Sequence, residues 1–341
     1  MAPLLQVENL RVAYASARGA LLPALAGVNL ALSPGEILGV LGESGSGKST
    51  LAAALLNLLP PNGVIQSGSV VFENKNLLRA SPRELQSIRG ARLSSIFQEP
   101  SLALHPTLRV SQQVSDILAA HSSLTRAALR EKTVDVLAST FGSEAPRIAR
   151  SYPHELSGGQ RQRVLIAQAI ACQPALLIAD EPTASLDPAT QREILQLFRQ
   201  IRDQLGLAIL FITHNPLLLN AFADRILVLY AGRVIEIGPT EQILASPQHP
   251  YTAALLHSLP LSLIAAANAQ TSRAGNISSA ERALRLPVIP GEPPDLSLAV
   301  PGCRFEPRCS DKMSICTTAE PELISIGQSH SASCFKYSAT R

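Results

Sequence analysis

Residues 42–50 read Gly-Glu-Ser-Gly-Ser-Gly-Lys-Ser-Thr, and that order of residue types suits one chemistry. Gly42, Gly45 and Gly47, with Ser44 among them, free the backbone to turn successive N–H groups inward, and inward amides cradle phosphate oxygens. Lys48 is placed to reach β- and γ-phosphates, the Ser49 hydroxyl to hold Mg²⁺, and Thr50 completes the ATP-binding run. Far downstream, Asp180 and Glu181 end the apolar run 175–179. Two carboxylates at the end of a buried strand are costly unless something pairs with them. Beside a magnesium nucleotide they have work: Asp180 binds the metal through water, and Glu181 orients or deprotonates the attacking water. His214 follows a second apolar run, 208–213, whose tip is expected to point the same way, which assigns it a γ-phosphate contact. Leu156-Ser157-Gly158-Gly159-Gln160 precedes a helical pattern and forms a second anion-ready helix start.

These residues need a scaffold of strands ending at one edge. Ile37, Leu38, Val40 and Leu41 form a short strand that delivers the loop, and helix formers from Leu51 to Leu59 run on until Pro60 and Pro61. Before them, Leu5, Val7, Leu10, Val12 and Tyr14, then Val28, Leu30 and Leu32, read as strands divided from the loop strand by the Ser33-Pro34-Gly35 turn. Tyr14 either packs there or stacks on an adenine ring. Gly68 to Phe72 reads as a strand returning to this small sheet, and Leu93 to Phe97 as another that ends at Gln98. Residues from about 101 to 160 read as a helical insertion, with Val110, Val114, Ile117 and Leu118 at helical spacing. Ala127, Ala128, Val134 and Leu137 follow that spacing less strictly. Helices are expected over 161–171 and 189–204, the latter after Asp187. Ile226–Tyr230 and Arg233–Ile237 form a closing hairpin. The fold class is α/β: a P-loop NTPase core with a mainly parallel sheet, an N-terminal antiparallel β subdomain, a helical insertion and a small Cys-rich C-terminal extension.

Composition bounds the rest. At 341 residues the chain has room for two compact units, or one with an appendage, and 46% hydrophobic against 16% charged residues marks it as globular. A net charge of +3 does not by itself imply nucleic-acid binding, and 4% aromatics with no Trp argues against a base-stacking surface. The start, Met1-Ala2-Pro3-Leu4-Leu5-Gln6, lacks the pattern of a secretion signal, and no apolar run reaches the ~18 residues of a membrane span. Folding in the cytosol is therefore expected, with membrane contact through a partner. Cys172 reads as a buried thiol.

Past Gly238-Pro239 the character changes, which divides the chain into 1–240, a helix and Pro-rich linker over 241–300, and an extension over 301–341. The extension holds Cys303, Cys309, Cys316 and Cys334. Disulfides are disfavoured in a reducing compartment, so one metal centre is expected. Zinc sites usually include a pair of cysteines two to four residues apart, and none exists here. The wider spacing suits a 4Fe–4S cluster, with zinc or unmetallated thiols as alternatives, and Arg304, Arg308 and Lys312 are expected to offset its negative charge. Its expected role is structural.

Together the loop at 42–50, Gln98, Leu156 to Gln160, Leu176 to Glu181, Asp187 and His214 resemble, in order and spacing, the ATP-binding subunit of ABC transporters. That resemblance covers residues 4 to about 240. Tyr152-Pro153-His154-Glu155, His249-Pro250-Tyr251-Thr252, Ile289-Pro290-Gly291, Gly302-Cys303-Arg304-Phe305 and Pro307-Arg308-Cys309 are similar to the oligopeptide/dipeptide (and nickel) importer ATPases. The resemblance implies that two ATPase subunits, self or paralogue, close over two nucleotides. Ser157, Gly158, Gly159 and Gln160 of one would then meet the ATP held by the other, with Asp187 at the interface and Gln98 sensing Mg²⁺. It further implies two permease subunits, a substrate-binding protein, no nucleic acid, and a peripheral place at the cytoplasmic face of the inner membrane. The implied cargo is a peptide, with nickel, glutathione or another small solute as the alternative. Asn215 departs from the family, in which an Asp commonly follows the His. A DNA-repair or translation ATPase would need a long coiled-coil insertion or a second ATPase unit, and the chain has neither.

Overall fold

The structure, a computed structural model, describes residues 2–17, 19–97, 103–258, 288–296 and 300–338. Alternating apolar residues give β1 (Leu5–Ala15) and β2 (Leu21–Leu32), paired antiparallel with Leu5 opposite Leu32. β3 (Ile37–Leu41) is buried at every position and leads through the glycine-rich loop into α1 (Lys48–Leu55). β4 (Gly63–Phe72) and β5 (Lys75–Asn76) complete a four-stranded sheet in the order β2-β1-β4-β5. Two details differ from the sequence reading. Gly68 does not start β4 but sits at a bulge inside it, at φ +106, where an added Cβ would meet Asn9 and Glu8 carbonyl oxygens at 2.7 Å. Nor does α1 run to the prolines. Asn57 turns left-handed at φ +51, Leu58 N–H donates to Ala53 O and Asn57 N–H to Ala54 O, which is a Schellman stop.

Next come α2 (Pro82–Ile88) and β6 (Leu93–Ile96), then the insertion: α3 (Val110–Ala120), α4 (Arg126–Phe141) and α5 (Ala145–Arg150). Val110, Val114 and Leu118 are buried as expected, but Val134 is 46% exposed while Thr133, Val136, Leu137 and Thr140 face inward. A threonine can occupy that face because its hydroxyl is satisfied within the helix, Thr133 donating to Leu129 O at 2.6 Å.

α6 (Gly158–Ile170), β7 (Leu176–Asp180), α7 (Pro188–Leu205), β8 (Ala208–Thr213), β9 (Arg225–Tyr230) and β10 (Arg233–Pro239) follow. After α8 (Thr240–Ala245) and α9 (Pro250–His257), the Cys-rich end contributes β11 (Ile324–Gly327) and β12 (His330–Ala332). The second sheet has the order β11-β12-β10-β9-β3-β8-β7-β6. Its centre is parallel: β3 pairs with β8 and β9, and β7 with β8 and β6. Parallel strands put their carboxyl ends at one edge, so the loop after β3, the Asp-Glu pair at the end of β7 and His214 after β8 emerge together.

The hairpin β9–β10 does not close the sheet, because β12 pairs with the other side of β10. Glu236 of β10 fastens this junction. It is fully buried, accepts from the backbone N–H of Gln248 at 2.7 Å and His249 at 3.0 Å, and lies 2.9 Å from His330 Nε2. Rings of Tyr230, Tyr251 and Phe305 pack edge or tilted at 4.5–5.5 Å, which joins the extension to the same core.

Candidate nucleotide-binding site

The loop at 42–50 fits its neighbours so closely that Gly42 and Gly47 have no room for a side chain. A Cβ on Gly42 would lie 2.2 Å from Leu229 O, and one on Gly47, at φ +105, would lie 2.8 Å from Ala24 O. The tip of the β9–β10 turn braces the loop, Gly232 N–H donating to Ser46 O at 2.8 Å. Lys48 is buried at the start of α1, and its ammonium donates to Gly42 O at 2.8 Å and Glu43 O at 2.9 Å. Burial pushes that ammonium down, while the carboxylates of Glu181, Asp180 and Glu43 act the other way. Tyr14, at the end of β1, shares a hydrogen bond of 3.1 Å with the Thr50 hydroxyl, which places its ring beside the start of α1.

Asp180 is buried with the Ser49 hydroxyl favouring its charged form, and its Oδ1 has no partner. Burial raises this carboxyl, and the Ser49 hydroxyl opposes the rise. An orphaned buried carboxylate oxygen next to a hydroxyl is the donor set a hard divalent cation takes, so Ser49 and Asp180 fit Mg²⁺. Glu181 leaves β7 at φ +48, a left-handed backbone that its N–H to Ile212 O bond of 3.0 Å helps hold. Both of its carboxylate oxygens lie 3.0 Å from His214 Nδ1. Asn215 accepts from Leu217 N–H through Oδ1 at 3.0 Å, a turn-capping bond that an Asp could equally make.

The segment 157–160 is placed elsewhere. Ser157 caps α6 in a reciprocal box, accepting from Gln160 N–H at 3.3 Å and donating its own N–H to Gln160 Oε1 at 3.1 Å. The helix thus begins at Gly158, earlier than the apolar pattern indicates. Gly159 is required by packing, since a Cβ would come within 2.6 Å of Thr190 Cγ2. Ser157, Gly159 and Gln160 border a cleft shared with Thr140, Arg163 and Glu193, not with the 42–50 loop. Asp187, expected at an interface, caps α7 by accepting from Ala189 and Thr190 N–H at 3.0 and 3.1 Å. Gln98 lies outside the described residues.

Glu43 and Tyr251 had no role in the sequence reading, yet both join this site. The Tyr251 hydroxyl accepts from Glu43 N–H at 2.9 Å, and the guanidinium of Arg308 meets Glu43 Oε2 at 2.8 Å and Oε1 at 3.2 Å. No local signal could pair residues 43 and 308. The finding also corrects the charge assignment in the extension. Arg308 is matched by Glu43, Arg304 by Glu320 and Lys312 by Glu306, so these charges answer carboxylates.

Within the extension, Cys303 and Cys316 are tied to each other through the backbone. Cys303 N–H donates to Cys316 O at 2.8 Å, and Gly302 has no room for a Cβ against that same carbonyl. Burial pushes the Cys303 thiol up to about 11, and the nearby Cys316, Cys309 and Cys334 thiols push the same way. Among the described residues no three His, Cys, Asp or Glu side chains are grouped to hold a metal ion.

Comparison with known proteins agrees with this geometry. The ABC transporter family model matches residues 25–184, and the model for the oligopeptide/dipeptide transporter C-terminal region matches 235–316. The chain is 38% identical to the dipeptide transport ATP-binding protein DppD of Bacillus subtilis (strain 168), over 98% of this chain and 95% of the relative. It is 40% identical to the oligopeptide transport ATP-binding protein OppD of Salmonella typhimurium, over 98% and 93%. Among solved structures, the dimeric post-hydrolysis state of the ATP-binding cassette MJ0796 bound to ADP and Pi matches with a TM-score of 0.61 at 29% identity, covering 69% of this chain and 98% of that one. A match to cbiO1 from Clostridium perfringens, part of the ABC transporter complex cbiONQ, has a TM-score of 0.63 at 29% identity, covering 80% and 100%. With relatives this similar along nearly its whole length, the chain belongs to the ABC transporter ATP-binding proteins of the oligopeptide/dipeptide type.

Proposed function

We propose that this chain binds and hydrolyses ATP to power import of dipeptides or oligopeptides through an ABC transporter. The observation that carries the reading is the meeting of Lys48, Ser49 and Asp180 where β3, α1 and β7 converge. Inward N–H groups of Gly42, Ser44, Gly45 and Gly47 bind phosphate oxygens, Lys48 exchanges its carbonyl partners for β- and γ-oxygens, and Tyr14 stacks on the adenine. Ser49 and Asp180, with Gln98, hold Mg²⁺, which when bound offsets the phosphate charge. Glu181 takes the proton of the attacking water, and His214 positions it against the γ-phosphate.

A second ATPase subunit supplies the other half of each site. Ser157, Gly158, Gly159 and Gln160 are exposed or only part-buried in one chain, as a surface that meets a partner's nucleotide must be. Asp187 lies beside them. Two permease subunits dock where the helical insertion meets the core, at an apolar cleft that Ile117 of the insertion lines together with Leu56, Leu58, Leu93, Ile96 and Leu165 and that suits a cytoplasmic helix. Among the described residues no helix is long and apolar enough to cross a membrane, which fits a peripheral place at the cytoplasmic face of the inner membrane. The relatives' names favour peptides as cargo, delivered by a substrate-binding protein. Residues 1–240 form the ATPase domain, 241–300 a helical and linker segment, and 301–341 the Cys-rich extension.

Glu181→Gln tests the assignment. ATP binding is retained and hydrolysis in the assembled transporter slows roughly 10²–10⁴-fold, the usual worth of a general base. Unchanged turnover removes Glu181 from the mechanism.

The four cysteines suit a 4Fe–4S cluster better than zinc. Their spacing in the sequence includes no pair two to four residues apart of the kind zinc sites use, and a cluster with separately ligated irons takes more widely spaced ligands. Anaerobically purified protein is then brown, and Cys316→Ser is colourless. Colourless wild-type protein carrying one zinc overturns the cluster.

A further inference from the structure

Glu43 is held from three directions. Its N–H donates to the Tyr251 hydroxyl at 2.9 Å, its carbonyl accepts from Lys48 at 2.9 Å, and its carboxylate is forked by Arg308 at 2.8 and 3.2 Å. Arg308 is itself fixed. Its side chain is 5% exposed, Nε donates to Pro290 O at 3.0 Å, and Nη1 also reaches the Tyr230 hydroxyl at 3.3 Å. Arg308 immediately precedes Cys309 and belongs to a short 3₁₀ turn, Glu306–Arg308, whose chain hydrogen-bonds back to Cys303. The C-terminal extension therefore grips the second residue of the loop.

We propose that Arg308 is a positioning residue for nucleotide binding, which holds Glu43 in place and cancels its charge beside the phosphate site. This rests on the reading of residues 42–50 as that site. The Glu43 carboxylate lies close enough to act on the Lys48 ammonium, so it lies close enough to act on the phosphates that Lys48 meets. Left unpaired, it would repel a triphosphate and compete for Lys48. Paired with a planar fork, it is neutral and oriented, which an ammonium on a flexible stem does not reproduce. The extension thus contributes to the affinity of a site 265 residues away in sequence.

Calorimetric titration of the full-length chain with ATP and Mg²⁺ tests this. Arg308→Gln weakens binding about tenfold, within the usual range of coupling between a ligand and a group that does not touch it. Adding Glu43→Gln to that variant restores affinity to within about threefold, because the uncancelled charge is gone. In the assembled transporter Arg308→Gln raises KM for ATP while kcat stays within about twofold. Lys48→Ala is the control: if it also binds ATP like the wild type, the phosphate-site reading fails. If Lys48→Ala loses ATP while Arg308→Gln binds it normally, the inference fails alone. A double variant no better than Arg308→Gln overturns the inference too, since it leaves Arg308 a purely structural role. Should Arg308→Gln not fold, Arg308→Lys serves: binding about threefold weaker supports the clamp, and wild-type affinity overturns it.

Discussion

Two glycine-bearing helix starts in this chain look alike in sequence and differ in every physical respect. The start at Gly47-Lys48 is enclosed: Gly42 and Gly47 each abut a backbone carbonyl, Lys48 is buried, and a carboxylate oxygen nearby waits without a partner. The start at Ser157-Gly158 is open and satisfies itself, with Ser157 and Gln160 answering each other's N–H groups at the surface. A free helix N-terminus attracts anions in both cases. Only the enclosed one has a buried lysine, the proposed metal donors and the proposed hydrolytic pair assembled around it. The open one has the form of half a site, which the proposed second subunit would complete.

The largest effect that could break this comparison comes from Ser157→Arg. Transport is abolished because the second subunit no longer closes, while ATP affinity of the isolated chain stays within about tenfold, or ~1.4 kcal/mol. A larger loss in the isolated chain would make 157–160 part of its own nucleotide site. A smaller effect sharpens the contrast in packing. Gly42→Ala destabilises the fold by about 1–3 kcal/mol, since its Cβ would meet Leu229 O at 2.2 Å. Gly158→Ala, whose Cβ finds only Leu186 Cδ2 at 3.6 Å, shifts stability by less than about 0.5 kcal/mol. Equal losses in denaturant melts would erase the distinction between the two starts.

The smallest effect tests whether the enclosed start depends on the extension behind it. His249 sits two residues before Tyr251 and is fully buried, and burial, with the Lys336 charge, lowers its pKa from 6.5 to about 3. The unfolded chain takes up a proton near 6.5 that the folded chain refuses until about 3. This contribution to stability is therefore complete well above 6.5 and lost as pH falls through that window, by ~1.4 kcal/mol near pH 5.5. His249→Asn removes this component of the slope. A variant with the wild-type slope shows that another group titrates.

Much of the enclosed site was legible because it is local. Strand, glycines, lysine and hydroxyls lie within one stretch; β3 falls where its residues indicate, and α1 starts at Lys48, three residues before the helix formers begin. The end of α1 was not, because Asn57 stops the helix in a left-handed turn before the prolines are reached. The inner face of α4 was misplaced because Thr133 and Thr140 satisfy their hydroxyls within the helix and so pass for surface residues in a sequence pattern. The open start was legible as an anion site, but the capping role of Asp187 was hidden behind its expected interface role. Least legible was the grip of Arg308 and Tyr251 on Glu43, because these contacts join residues 265 and 208 positions apart in the sequence.

The pairing of β12 with β10 also bears on solubility. The eight-stranded sheet is bounded by β11 and β6, each four residues long, and edges so short offer little for another chain to pair with. Removing residues 300–341 would strip β11 and β12 away and leave β10, seven residues with Val234 and Ile235 among them, as the new border. A border longer than either present edge offers more backbone for strand addition between molecules, so such a truncated chain is expected to aggregate more readily even where its nucleotide loop is untouched.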